Sequence, residues 1–193
     1  VTLRVLGIDP GLTRCGVGVV DVEPGRRVSL VYFGVVRSDP KSPIEERLLT
    51  IGRGIERLID EHAPHAMAVE RVFAQHNLRT VMGTAQVSGL ALHAAAARSI
   101  PVGLRTPSEV KAAITGYGAA DKRQVQTMVA RVLGLAELPQ PADAADALAL
   151  AICHAWRGDP VAPVGSSVEG SAPAAALTPA QRAWLAAERA SKR

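Results

Sequence analysis

The order of hydrophobic patterns along the chain limits its fold more than any other feature. Within the first forty residues, three strand-length runs (residues 3–9, 16–21 and 28–36) alternate with period two. Pro10-Gly11 and Pro24-Gly25 punctuate the gaps, so these strands are expected to fold back antiparallel. From residue 42 to 62 the period changes, and Ile44, Leu48, Leu49, Ile51, Ile55, Leu58 and Ile59 recur at helical spacing. Ser42-Pro43-Ile44-Glu45 reads as an N-cap serine, a first-turn proline and a capping-box glutamate. A short apolar strand (65–70), a helix rich in small residues (77–97) and a further strand (101–104) follow. Thr106-Pro107-Ser108-Glu109 opens the next helix, Gly116-Tyr117-Gly118 breaks it, and helices over 121–133 and 142–156 complete the order. A chain of this order buries its apolar faces as a mixed sheet with helices on both sides, an α/β domain.

A length of 193 residues suits one well-packed domain and not two ordinary ones. Past Trp156 the periodicity is lost. The expected division is a folded domain over 1–157, then a Gly/Pro/Ser/Ala-rich flexible linker and a candidate short C-terminal helix within 158–193. No apolar run approaches the roughly 20 residues that span a bilayer. The N-terminus reads as a strand and not as a signal peptide. Cys15 and Cys153 lack metal-ligand or disulfide-framework spacing and read as small buried apolar residues. These features point to a cytoplasmic protein that does not engage a membrane. A net charge of +4 permits a nucleic-acid partner. Lysine occurs only at Lys41, Lys111, Lys122 and Lys192 in an arginine-biased chain, which draws attention to each.

Four carboxylates stand out by position. Asp9 closes the first strand, Glu70 closes the fourth, and Asp143 and Asp146 lie three apart at the start of the last helix, on one helical face. Ligands of α/β sheets bind at the carboxyl ends of strands, so the four acids can converge there. Like charges held close raise one another's pKa, and a divalent metal offsets that cost. Oxygen ligands without His or Cys favour Mg²⁺ or Mn²⁺. Two such ions roughly 4 Å apart are a recurring device for phosphodiester cleavage. Each acid also has a plainer reading: Asp9 as a turn residue before Pro-Gly, Glu70 as an ion-pair partner of Arg71, and Asp143 with Asp146 as a capping pair that complements the helix dipole.

Taken together, the motifs resemble those of the RuvC Holliday-junction resolvases. Gly7-Ile8-Asp9-Pro10-Gly11 with Arg14-Cys15-Gly16 is similar to that family's opening, and Ala68-Val69-Glu70-Arg71-Val72-Phe73 to its second motif. Thr106-Pro107-Ser108-Glu109-Val110-Lys111 and Asp121-Lys122-Arg123-Gln124-Val125-Gln126 resemble the third and fourth segments, and Asp143-Ala144-Ala145-Asp146 with the residues to Ala151 closes the set. The resemblance covers residues 3 to about 157 and leaves out the tail from Gly158.

It implies an RNase H-like fold with a mixed five-stranded sheet, a homodimer, and Mg²⁺-dependent paired nicking of four-way junction DNA, with Asp9, Glu70, Asp143 and Asp146 as the catalytic, metal-binding acids. In some members of the family a histidine stands where Asp143 does. The expected mechanism uses two ions per subunit, with Mn²⁺ able to substitute. One, held by Asp9 and a helix aspartate, activates water; the other, shared with Glu70, neutralises the leaving 3′-oxygen. The products carry 5′-phosphate and 3′-hydroxyl ends. Phe73 corresponds to an aromatic that stacks on bases of the junction, and the polar Gln75-His76-Asn77 after it suits an exposed loop. Lys111 and Lys122, joined by Arg123, match positions that contact DNA phosphate. A branch-migration motor of the RuvA and RuvB type is the implied partner.

Three rivals compete with this reading. An ATP-binding domain of the actin or sugar-kinase kind shares the opening strand and Asp-x-Gly, but needs a second domain and phosphate loop that 157 residues cannot supply. A catalytically inactive junction binder would not need all four acids. A related nuclease acting on ribosomal RNA shares the opening motif but fits the Asp143-Ala144-Ala145-Asp146 segment less well. His93 and His154 lack ligand spacing and read as ordinary helix residues, and Gly116-Tyr117-Gly118 as a helix break rather than a phosphate cradle.

Overall fold

A computed structural model describes residues 2–72 and 78–157, with the side chains of 78–80 left aside. Phe73, the residues 74–77 expected to form an exposed loop, and the tail from Gly158 with its expected linker and helix lie outside the described residues. The elements follow the expected order: β1 (Leu3–Asp9), β2 (Arg14–Val22), β3 (Val28–Arg37), α1 (Ile44–His62), β4 (Ala66–Glu70), α2 (Leu78–Ala96), β5 (Val102–Arg105), α3 (Pro107–Thr115), α4 (Lys122–Val132) and α5 (Ala142–Arg157). They build one five-stranded mixed sheet in the order β3-β2-β1-β4-β5. β1, β2 and β3 form an antiparallel meander, while β4 and β5 run parallel to β1.

Both faces of the sheet are covered. Leu6, Ile8, Val17, Val19, Met67 and Val69 pack against α1 and α2 through Ile51, Ile55, Ile59, Val87 and Ala91. On the other face Val5, Val20 and Ala68 pack against α3, α4 and α5 through Val110, Ile114, Val129, Leu148 and Ile152. The one-residue alternation within β1 and β4 sorts these side chains to opposite layers.

On that second face α5 lies directly on strand backbone. A Cβ on Gly7 would collide with the carbonyl oxygen of Ala147 and one on Gly16 with that of Asp143, while at Gly18 it would stand 2.7 Å from the Leu148 nitrogen. Three glycines of β1 and β2 thus form the seam that admits α5. The helix answers with small residues: Ala144, Ala145, Ala147 and Ala151 are all buried.

Two local expectations are corrected. Ser42 does not cap α1: Pro43 occupies the N-cap, without a side-chain cap, because the Ser42 N–H closes a turn on the Asp39 carbonyl and the helix starts at Ile44. β2 begins at Arg14 and not at Gly16, because Arg14 and Cys15 continue the pairing with Arg37 and Val36. The capping pairs that do form are Thr106 with Glu109 on α3 and Asp121 with Gln124 on α4. Gly116 ends α3 at φ 78°, so Gly116-Tyr117-Gly118 is a helix break.

The seam sets a test. Gly7→Ala forces α5 off the sheet and should lower the unfolding free energy by about 3 kcal/mol or more in urea, the upper range of overpacking. Gly52→Ala in α1, where the nearest atom to a new Cβ is a Leu90 methyl at 3.6 Å, should be neutral or stabilise by up to about 1 kcal/mol. Equal effects would mean that the seam is not tight.

Candidate active site

Register and parity place the strand acids. Ile8 pairs with Val69, so Asp9 and Glu70 follow side by side at the carboxyl ends of adjacent parallel strands. Leu6 and Ile8, like Met67 and Val69, point to the α1–α2 layer, so alternation turns Asp9 and Glu70 toward α5. The seam places the helix acids: the Asp143 backbone sits over Gly16, and Gly16 is the register partner of Asp9. One helical turn carries Asp146 to the same end.

The four carboxylates share one electrostatic field. Asp9 is pushed up to about 7, first by burial and then by the charges of Glu70, Asp146 and Asp143, with Lys122 pulling the other way. Glu70 is also raised, by burial and by Asp146. Lys122 donates to Asp146 Oδ2 at 2.6 Å, a bond that raises its own pKa, with Asp9 and Asp143 contributing in the same sense. Arg14 donates from Nε to Asp143 Oδ2 at 2.6 Å. Among the described residues, the helix acids therefore each carry a cation, whereas the strand acids carry none.

The plainer readings of the strand acids do not hold, while Asp143 does lie in the first turn of α5, where its charge complements the helix dipole. Among the described residues Asp9 makes no turn hydrogen bond and Glu70 no ion pair with Arg71. Asp143 and Asp146 face Arg14 and Lys122. No three Asp, Glu, His or Cys side chains among the described residues already close on a point that would hold an ion, and those two cations draw half the set aside. The donor set remains all oxygen, and the mutual repulsion felt by Asp9 is what a hard divalent cation would relieve.

A cleft of about 250 Å³ adjoins the acids, with Glu70, Asp146, Lys111 and Lys122 at its polar side and Val110, Val125, Ala149 and Leu150 beneath. Both lysines expected to meet phosphate thus stand beside two of the acids. Arg123 points elsewhere, into a separate depression with Tyr117 and Asp121. On the opposite side a groove of about 790 Å³ runs past Gly11, Thr13, Arg14, Arg47 and Thr84. His93 is exposed on α2, and His154 is buried, accepting at Nδ1 from Arg105 Nη2 at 2.9 Å. Cys15 is buried with its thiol pushed up to about 12, so it offers no thiolate for chemistry.

Sequence reasoning missed Arg14 as a partner of Asp143 and missed the glycine seam. The pair spans 129 positions and leaves no local pattern. The seam had a signal: glycines at alternate positions of β2 and an alanine-rich last helix.

Comparison with known proteins bears on this arrangement. Residues 5–154 match the family described as "Crossover junction endodeoxyribonuclease RuvC". A protein of that name from Leifsonia xyli subsp. xyli is 66% identical over 197 residues, spanning 100% of this chain and 95% of its own length. Another from Clavibacter sepedonicus is 60% identical, spanning 98% of each. Among solved structures, T. thermophilus RuvC in complex with a Holliday junction substrate superposes with a TM-score of 0.77 at 36% identity, covering 81% of this chain and 94% of that one. A yeast mitochondrial Holliday junction resolvase, 14% identical with a TM-score of 0.56 over 78% of each chain, shares the fold.

Asp9 adds a pH dependence of its own to the stability of the metal-free protein. Unfolded, Asp9 ionises near 3.8; folded, near about 7, so between these values the folded state holds a proton that the unfolded state has released. The contribution of Asp9 to stability should then fall as pH rises through this window, with a slope of at most about 1.4 kcal/mol per pH unit from this one proton. Unfolding in urea with EDTA at a series of pH values checks this, and Asp9→Asn should flatten the slope. A wild-type profile no steeper than that of the variant would show that neither burial nor neighbouring charge raises Asp9.

Proposed function

The chain belongs to the RuvC family of crossover junction endodeoxyribonucleases, and from that premise we propose how its own residues carry out the family's reaction. It is a nuclease of RNase H-like fold that resolves Holliday junctions. The observation that carries the residue assignment is the common field of Asp9, Glu70, Asp143 and Asp146 at one end of the sheet.

In this reading the four carboxylates hold Mg²⁺, two ions per subunit with Mn²⁺ able to substitute, because the donors are hard oxygens without His or Cys. Ions held there would supply Lewis-acid chemistry and lower the pKa of a bound water. Asp9 and Glu70, side by side on adjacent strands, give the fixed edge of the site. Asp143 and Asp146 close it from the helix. Lys111 and Lys122, at the mouth of the neighbouring cleft, receive the phosphates that flank the cut. Arg123, which lines a separate depression with Tyr117 and Asp121, would meet the DNA backbone away from the cleft. Phe73, on the segment that follows Glu70, stacks on a base of the opened junction, an interaction worth ~1–3 kcal/mol.

Hydrolysis with inversion leaves 5′-phosphate and 3′-hydroxyl ends, ready for ligation. The substrate is two-fold symmetric and two strands must be cut, which calls for a homodimer with one site per subunit. Residues 1–157 would form the nuclease unit; the linker and short helix expected within 158–193 lie outside the described residues. A branch-migration motor of the RuvA and RuvB type delivers the junction in the cytoplasm. No helix among the described residues is long and apolar enough to cross a membrane.

The test compares a synthetic four-way junction with a linear duplex of the same sequence, each with Mg²⁺ and with EDTA. Paired symmetric nicks in the junction alone, abolished by EDTA, are expected. Equal cutting of duplex contradicts the reading, and junction binding without cutting would make the protein an inactive binder. Asp146→Asn should lower the cleavage rate by roughly a hundredfold or more, the scale of losing an essential electrostatic group. Its junction affinity should hold or improve, because the substitution removes a negative charge and releases Lys122 toward phosphate. Wild-type cleavage by Asp146→Asn would take that residue out of the site.

A further inference from the structure

Arg14 stands where a resident cation competes with an incoming one. It is the first residue of β2, and its side chain reaches Asp143, the acid set over Gly16. The bond uses Nε alone, so among the described residues the Nη donors of the guanidinium have no protein partner. The side chain is 40% exposed and Asp143 28%, a setting in which an ion pair adds little to stability. Attachment of α5 rests on the glycine seam and the packed core, so the pair is not needed to dock the helix.

The surroundings leave room for this side chain to move. Arg14 lines the open groove of about 790 Å³ beside Gly11, Thr13 and Arg47, so it can swing outward without displacing packed atoms. The backbone that carries it stays put. Ser38 N–H bonds the Thr13 carbonyl and Ser38 Oγ the Leu12 carbonyl, while Arg47 donates to Ser38 Oγ at 3.1 Å and Thr13 Oγ1 at 2.7 Å. A rigid turn thus presents a movable cation to a carboxylate of the acid cluster.

We propose that Arg14 is an exchangeable counter-cation: it occupies Asp143 until a divalent cation takes that carboxylate, and by competing for it lowers the metal affinity of the site. This rests on the metal-binding role given above to the four acids. An ion that binds Asp143 either displaces Arg14 from Oδ2 or takes Oδ1 and sits close to a positive charge. Both effects oppose loading, so removing the charge favours it. The residue acts through Asp143 and is a positioning residue. It keeps one helix acid neutralised in the metal-free protein and yields it when metal arrives.

The test reads metal binding and not cleavage. Mn²⁺ is titrated into the full-length protein without DNA, and free Mn²⁺ is measured by electron paramagnetic resonance. Arg14→Gln should bind Mn²⁺ roughly five- to tenfold more tightly, the scale of removing one unit charge from a partly solvated site. Arg14→Lys, which keeps the charge, should stay near wild type. Asp143→Asn should bind more weakly, and adding Arg14→Gln to it should restore much less than Arg14→Gln gains alone, since the bond between the two is already lost. Unchanged or weaker binding by Arg14→Gln overturns the inference and leaves the metal site standing. If Asp9→Asn and Asp146→Asn bind Mn²⁺ like wild type, the metal site itself falls, and the inference with it.

Discussion

Helix α5 rests on strand backbone at Gly7, Gly16 and Gly18, and that contact sets the helix acids Asp143 and Asp146 beside the strand acids Asp9 and Glu70. Helices ordinarily stand off a sheet by the depth of the side chains between them. Here three missing Cβ atoms let the helix approach until its Ala147 carbonyl lies where the Gly7 side chain would begin. The Asp143 backbone then comes to lie over the register partner of Asp9. Strand alternation has already turned Asp9 and Glu70 toward that helix. Two secondary-structure periodicities and one close approach are enough to gather four acids from three elements.

The gathering is unfavourable on its own terms. Burial and the charges of its neighbours hold Asp9 near 7, and Glu70 moves in the same direction. Only packing strong enough to override the repulsion keeps such a cluster together, which is how functional sites commonly stand against stability. The core beneath supplies it, for Leu148, Ile152 and Ala151 of α5 are fully or almost fully buried. Arg14 and Lys122 each neutralise one helix acid, leaving the strand acids, among the described residues, as the part of the site without a resident cation. A divalent metal and a DNA phosphate would meet this partly compensated charge from opposite sides.

Much of this is legible in the sequence because it depends on short-range order. Period-two runs mark the strands, helical spacing marks α1, and an acid at each strand end singles out Asp9 and Glu70 before any fold is known. Where local signals compete, sequence and structure part. Ser42 looks like a cap but is used in the turn before the helix, and the charge of Arg14 hides the true start of β2. The pairing of Arg14 with Asp143 links residues 129 positions apart and follows only once α5 is docked. Glycine has no pattern of its own in a strand, so the seam becomes visible only beside the alanines of the helix that lies on it.

Docking of α5, on the proposed reading, would bring Asp9, Glu70, Asp143 and Asp146 together as the two-ion site. The most direct measurement is the anomalous scattering of Mn²⁺ in crystals of the full-length protein. It should place manganese in contact with the carboxylates of Asp9 and Asp146, with Asp143 turned from Arg14 where it joins as a ligand. Occupied manganese elsewhere, with these four acids left bare, would contradict it.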